Sequence, residues 1–315
     1  MEAFLKKSFQ GLDFFYPVTR LYIIALGIVI AFLPMTELLE LILSIVLIGT
    51  IGLMHGATDH ILFINYQKLN QQTPIPREFF YVYLGILLAM GLVWFILPLG
   101  AVILFVLFSC YHFGQTQLQY LPISEAKGQK KFLYALWGFI ALLAIVLFNS
   151  KETTELLKPF LAEELLQPFF EFRWFIVGFG AVFFTIAILL VKAKRKWKFI
   201  AFELVELGVI LLISYHSSLL LSFALFFGLW HSLRASQVQI DKLALKGKFT
   251  TKDFIIKSLP FTLMSLFGIA ILLLINTKLE LDIHPFMIFL IAVSVLTMPH
   301  MFVYEKFYGF HDSHE

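Results

Sequence analysis

Apolar residues come in long runs along this chain, broken by short polar stretches. Ten runs approach the roughly 20 apolar residues that a helix needs to cross a bilayer. They cover about 19–35, 38–62, 78–97, 99–121, 131–149, 173–192, 198–215, 217–240, 254–275 and 285–308. The pattern predicts an all-α, polytopic transmembrane helical bundle of about ten spans. Nothing between the runs is long enough for a soluble domain, so residues 1–315 are expected to form a single integral membrane domain. The longest connection, about 150–172, reads as an amphipathic helix lying in the interface.

Composition agrees. Of 315 residues, 60% are hydrophobic and only 14% charged, and 37 are Phe, whereas soluble domains are nearer half apolar and a quarter charged. The net charge of +3 comes with no basic tract of the kind that binds nucleic acid. A single cysteine, Cys110, excludes an internal disulfide and any zinc or iron–sulfur site built on several thiolates. The opening MEAFLKKSFQGLDFFYP lacks the apolar core and cleavage site of a signal peptide, so the first span is expected to serve as the insertion signal.

Charge supplies the orientation. With ten spans, 20 of the 24 Lys and Arg residues fall on one side; Lys151, Lys158, Arg173 and Lys278 fall on the other. The positive-inside rule then places both termini in the cytoplasm. The expected location is the plasma (inner) membrane, as a multi-pass protein.

Nine histidines interrupt this pattern. His311 and His314 lie in a polar tail, where solvation is expected, and His216 and His284 lie at turns. The rest fall in polar breaks of apolar runs: His55 and His60 in MHGATDH, His112 in CYHFGQTQ, His231 in LWHSLRASQ and His300 in MPHMFVYE. His55, His112, His231 and His300 sit on even-numbered spans, which run in the same direction. They lie 17, 13, 14 and 15 residues from the starts of those spans. At about 1.5 Å per residue the spread is only about 6 Å along the membrane normal. A lone buried histidine is usually a hydrogen-bonded core residue. Four at one depth match what a metal inside a helical bundle requires, because neutral imidazole is a common ligand and a polar ring inside a membrane needs partners. An all-imidazole set suits iron, zinc, copper or nickel.

Neighbouring residues offer support to such a site. Asp59 lies one helical turn after His55, where its carboxylate can accept the second N–H of a ligand histidine; the plainer alternative is an aspartate near the interface. His60 is a lesser candidate for the same supporting position. Glu203 and Glu206 lie one turn apart, either reaching toward water or holding a ligand histidine, with the first slightly favoured. Gly52, Gly56 and Gly114 would permit close helix approach.

In this order, HGATDH, YHFGQTQ, LWHSLRASQ and PHMFVYEKFY resemble the Brp/Blh β-carotene 15,15′-dioxygenase family across roughly residues 40–308. The resemblance implies a membrane enzyme that uses O₂ and Fe(II) to cleave the central double bond of β-carotene into two retinal molecules, usually for a rhodopsin. Carried over by motif, the catalytic metal ligands are His55, His112, His231 and His300. Many relatives carry a further histidine four residues after the WHSLR-type one; Ala235 stands there in this chain. Tyr111, Trp230 and Tyr304 flank ligand candidates and are possible tunnel residues, with core packing the plainer role. The resemblance also implies partners: β-carotene, O₂, membrane lipid, and a rhodopsin that receives retinal.

Three other classes compete. A metal-ion or proton transporter would use intramembrane histidines too, but no matching pair of broken helices stands out. A b-type haem carrier needs facing histidine pairs. A di-iron desaturase relies on HxxxH and HxxHH clusters, and this chain has neither.

Overall fold

The structure is a computed structural model. It describes residues 15–69, 73, 75–119, 127–190, 196–244 and 249–311. Each of the ten apolar runs falls on one or more helices, and the described residues include no strand. In chain order, α1 is Phe15–Phe32 and α2 is Glu37–Leu47. A wide π turn (Ile48–Gly52) and a 3₁₀ turn (Gly56–Thr58) then lead to α3, Asp59–Leu69. Next come α4 (Pro76–Ile96), α5 (Pro98–Leu118), α6 (Lys127–Phe148), α7 (Ser150–Leu157), α8 (Glu163–Glu171), α9 (Arg173–Leu190) and α10 (Lys196–His216). The chain continues through α11 (Leu219–Leu225), a second π turn (Phe226–Ser232), α12 (Leu233–Ala244), α13 (Thr251–Lys278) and α14 (Pro285–His311).

Among the described residues, eight helical stretches are long and apolar enough to cross a membrane. The other two expected runs fall on α1, apolar over Val18–Phe32, and on α10. The connection expected as one interfacial helix is two, α7 and α8. Pro159 contributes to the break: it has no N–H with which to continue the helical ladder, and α7 ends at Leu157.

The contacts divide the chain into two compact units. The first holds residues up to Ser44 and Cys110–Trp230. Within it α10 packs on α1 and α6, and α6 packs on α9. The 110–118 part of α5 meets α6 backbone to backbone. A Cβ at Gly114 would lie 1.8 Å from the Tyr134 carbonyl oxygen, and one at Gly138 would lie 1.9 Å from that of Cys110. Only glycine fits at either crossing point, as Gly114 led one to expect.

The same unit buries a closed ring of charge and amide. Arg20 donates from Nε to Glu206 and from an Nη to Glu203, each at 2.6 Å. The Gln117 amide donates to Glu203 at 2.8 Å and also to Glu206. All four side chains are buried. The expectation that the two glutamates reach toward water is thus overturned. Arg20 and Gln117 occupy both oxygens of each carboxylate, and a buried charge is tolerated when it is paired and hydrogen-bonded in this way.

The second unit holds Ile45–Ser109 and the chain from His231 onward. α14 lies along α4 and α3, while α13 packs against the 3₁₀ turn and α14. The Trp94 indole donates to Ser294 Oγ at 2.6 Å and ties α4 to α14.

Candidate metal centre

Backbone irregularity sets the histidines in place. His55 lies between the π turn and the 3₁₀ turn, and His231 lies inside the second π turn. His300 follows Pro299 within α14. Wide turns and prolines reorient side chains that a regular helix would stack along one stripe, and π turns are frequent at functional sites.

His55, His231 and His300 converge inside the second unit, each offering a nitrogen within 4.8 Å of the others. The His55 ring stands almost edge-on to the other two, with centroids 4.9 Å from His231 and 4.7 Å from His300. All three are at least 96% buried.

Their partners fix the tautomers. His55 Nδ1 lies 2.5 Å from the Gly52 carbonyl oxygen. A carbonyl can only accept, so Nδ1 carries the proton and Nε2 presents a lone pair. His300 Nδ1 lies 2.7 Å from Asp59 Oδ1, so its Nε2 likewise faces away from the acceptor. His231 Nε2 is 3.2 Å from His55 Nε2. Two nitrogens bound about 2.1 Å from one ion at angles between octahedral and tetrahedral would be about 3.0–3.4 Å apart. The donor set and this spacing fit a bound imidazole-favouring metal. Without an ion, a His231 Nε2–H would donate to the His55 lone pair instead.

Support extends behind the histidines. Thr58 Oγ1 is 3.3 Å from the His55 carbonyl oxygen and 3.1 Å from Gln239 Oε1, and Gln239 is fully buried. Gly56 lies beside His300: a Cβ there would sit 3.5 Å from Nδ1, in ordinary contact. Tyr304, fully buried, has its ring 5.8 Å from that of His300. Gln239 gave no sequence signal; an amide eight residues after His231 on the same helical side would have been the only hint.

The other predicted residues are placed as follows. His112 is buried in the first unit, with its ring 6.1 Å from Phe113. His60 joins an aromatic group, 4.7 Å from Phe261 and 6.3 Å from Phe79. Glu203 belongs to the Arg20 ring described above. Tyr111 packs 6.1 Å from Tyr134 with Lys131 over its face, and Trp230 lies against Gly27. Ala235 is buried one turn beyond His231. The His216 ring packs 5.2 Å from Phe32. His284 accepts the Phe286 N–H at the start of α14. His314 and the His311 side chain lie outside the described residues.

A family model described as "Beta-carotene 15,15'-dioxygenase" matches residues 46–308. The chain belongs to this family. It is also 26% identical over 282 residues to a β-carotene 15,15′-dioxygenase of uncultured marine bacterium 66A03, covering 86% of this chain and 94% of that one. No solved structure matches. The family match spans all four histidine motifs, so His55, His112, His231 and His300 are features of the matched region.

Proposed function

We propose that this protein cleaves the central 15,15′ double bond of β-carotene with O₂, giving two molecules of all-trans-retinal. The convergence of His55, His231 and His300 with their Nδ1 atoms engaged elsewhere, in a chain of this family, carries the reading. The reaction balances without a reductant: the C15–C15′ double bond breaks, and each carbon keeps one atom of O₂.

The proposed ligands are His55, His231 and His300, with His112 as the fourth. His112 is supported by its depth in the sequence and its motif. Iron(II) bound there would supply the position at which O₂ is activated. The chain's own residues do the rest. Gly52 and Asp59 hold the protons of His55 and His300 on Nδ1, keeping each Nε2 available for the ion. The apolar surroundings exclude water from the reacting carbons, and the walls hold the central bond in place, which is catalysis by positioning. A hydrocarbon offers nothing to hydrogen-bond, so shape selects the bond. A buried site in a membrane span receives such a substrate laterally from the lipid. We place the enzyme in the plasma membrane and read a rhodopsin apoprotein as the acceptor of retinal.

The test is expression in a bacterial host that makes β-carotene, followed by chromatography of the pigments. Retinal as the main product, abolished by His55→Ala and by His300→Ala, is expected. Unchanged β-carotene with folded, iron-supplied protein would overturn the reading.

A further inference from the structure

The Asp59 carboxylate holds His300 by one oxygen. Oδ1 lies 2.7 Å from His300 Nδ1, while Oδ2 is buried with no hydrogen-bond partner of normal geometry among the described residues. A single hydrogen bond fixes one oxygen and leaves the carboxylate free to swing about it, so it orients the histidine only in part. An oxygen of a buried carboxylate is also costly to leave unpaired. Both considerations call for a second donor inside the second unit.

Tyr83 on α4 supplies a candidate. Its hydroxyl meets the Asp59 side chain. The Leu296 carbonyl oxygen is also near, but at 3.5 Å it lies beyond the roughly 2.5–3.0 Å of an O–H···O hydrogen bond. The hydroxyl is therefore not committed to that carbonyl.

Packing fixes where this side chain sits. Phe79, 5% exposed, lies one turn before Tyr83, with ring centroids 5.1 Å apart. Trp94 lies eleven residues after Tyr83, about three turns on, and so falls on the same side of α4. Its indole binds Ser294 on α14, two residues before Leu296. That bond locks α4 against the stretch of α14 leading to His300. Tyr81, two residues earlier on the same helix, is 73% exposed and on the other side, so a tyrosine that merely faces outward is already present there. A phenol suits the inner position, because its ring is at home among apolar helices and its single O–H finds one partner.

We propose that Tyr83 is a positioning residue of the metal centre: its hydroxyl donates to the Asp59 carboxylate, which in turn orients His300. The series runs from Tyr83 to Asp59 to His300 Nδ1, leaving Nε2 for the ion. Tyr83 touches neither metal nor substrate in this role. The proposal rests on the metal-centre reading above.

The test is a double-mutant cycle on purified full-length protein in detergent, with iron titrated against a competing chelator. It compares wild type, Tyr83→Phe, Asp59→Ala and the double variant. Tyr83→Phe is expected to weaken iron binding about tenfold, the low end of what groups behind a ligand histidine contribute. In the Asp59→Ala background the same change is expected to cost less than twofold, because the group through which it acts is gone. An equal loss in both backgrounds would overturn the proposal, since a residue that only packs would act without Asp59. Wild-type iron affinity in Tyr83→Phe with a lowered Tm would overturn it too, marking the hydroxyl as a partner of Leu296. Infrared difference spectra keep the test decisive if Asp59→Ala misfolds. The carboxylate band that Asp59→Asn removes should shift in Tyr83→Phe, and a band that stays in place would overturn the proposal. Folded wild-type protein that takes up no iron would instead overturn the metal-centre reading beneath it.

Discussion

Removing the Asp59 carboxylate isolates one link in the proposed metal centre. Asp59 and His300 are both 2% exposed and meet at 2.7 Å. A hydrogen bond to a charged acceptor contributes about 1.5–3 kcal/mol. Loss of a carboxylate behind a ligand histidine typically costs 10–100-fold in metal affinity, or about 1.4–2.7 kcal/mol. Asp59→Asn keeps an acceptor oxygen but loses the charge, so its iron affinity should fall toward the lower figure. Asp59→Ala leaves the buried His300 Nδ1–H without its acceptor and should fall toward the higher one. It should also lower Tm, because an unsatisfied buried donor costs about 1–3 kcal/mol. The assay is iron titration against a competing chelator on purified protein, followed by retinal formation at saturating iron. Activity of Asp59→Asn should largely return when iron is in excess. Wild-type affinity and activity in Asp59→Ala would refute the reasoning, because His300 would then be held by something other than this carboxylate.

Other outcomes follow from the packing and charge. Gly114→Ala should abolish folded protein, since its Cβ would lie 1.8 Å from a backbone oxygen, whereas Gly85→Ala, with nothing within 4 Å, should leave yield and Tm unchanged; size-exclusion profiles distinguish them. Gly56→Ala, whose Cβ makes only ordinary contact with His300, should keep iron content within about twofold. Arg20→Met should destabilise by about 3–5 kcal/mol by stranding two buried carboxylates, with partial rescue by Glu203→Gln plus Glu206→Gln, read from thermal unfolding in detergent. The Glu152 carboxyl, on α7 between spans, is pushed above the usual carboxylate range. Partial burial is the main cause, with Glu40, Glu155 and Glu37 adding to it and the Leu219 N–H opposing it. The native state thus holds this proton more tightly than the unfolded chain. Its contribution to stability is full below the unfolded value of about 4.3 and is lost as pH rises through the raised folded value. Glu152→Gln should flatten that part of the Tm–pH profile.

The apolar runs determined the helices, because a backbone in hydrocarbon must satisfy its own polar groups. They also brought out the four histidines, since each breaks such a run and helical rise makes depth countable. Helical periodicity did less well near the site. Asp59 stands one turn after His55, yet its acceptor oxygen serves His300, 241 residues away. The intervening 3₁₀ turn re-aims it, and His55 is held by the Gly52 carbonyl instead. Glu203 and Glu206 read as surface charges because nothing local marks Arg20, 183 and 186 residues distant, as their partner. A sequence carries periodicity and cost, so it says that a buried charge must be satisfied. Which group satisfies it depends on packing between distant helices, and only the tertiary structure decides that.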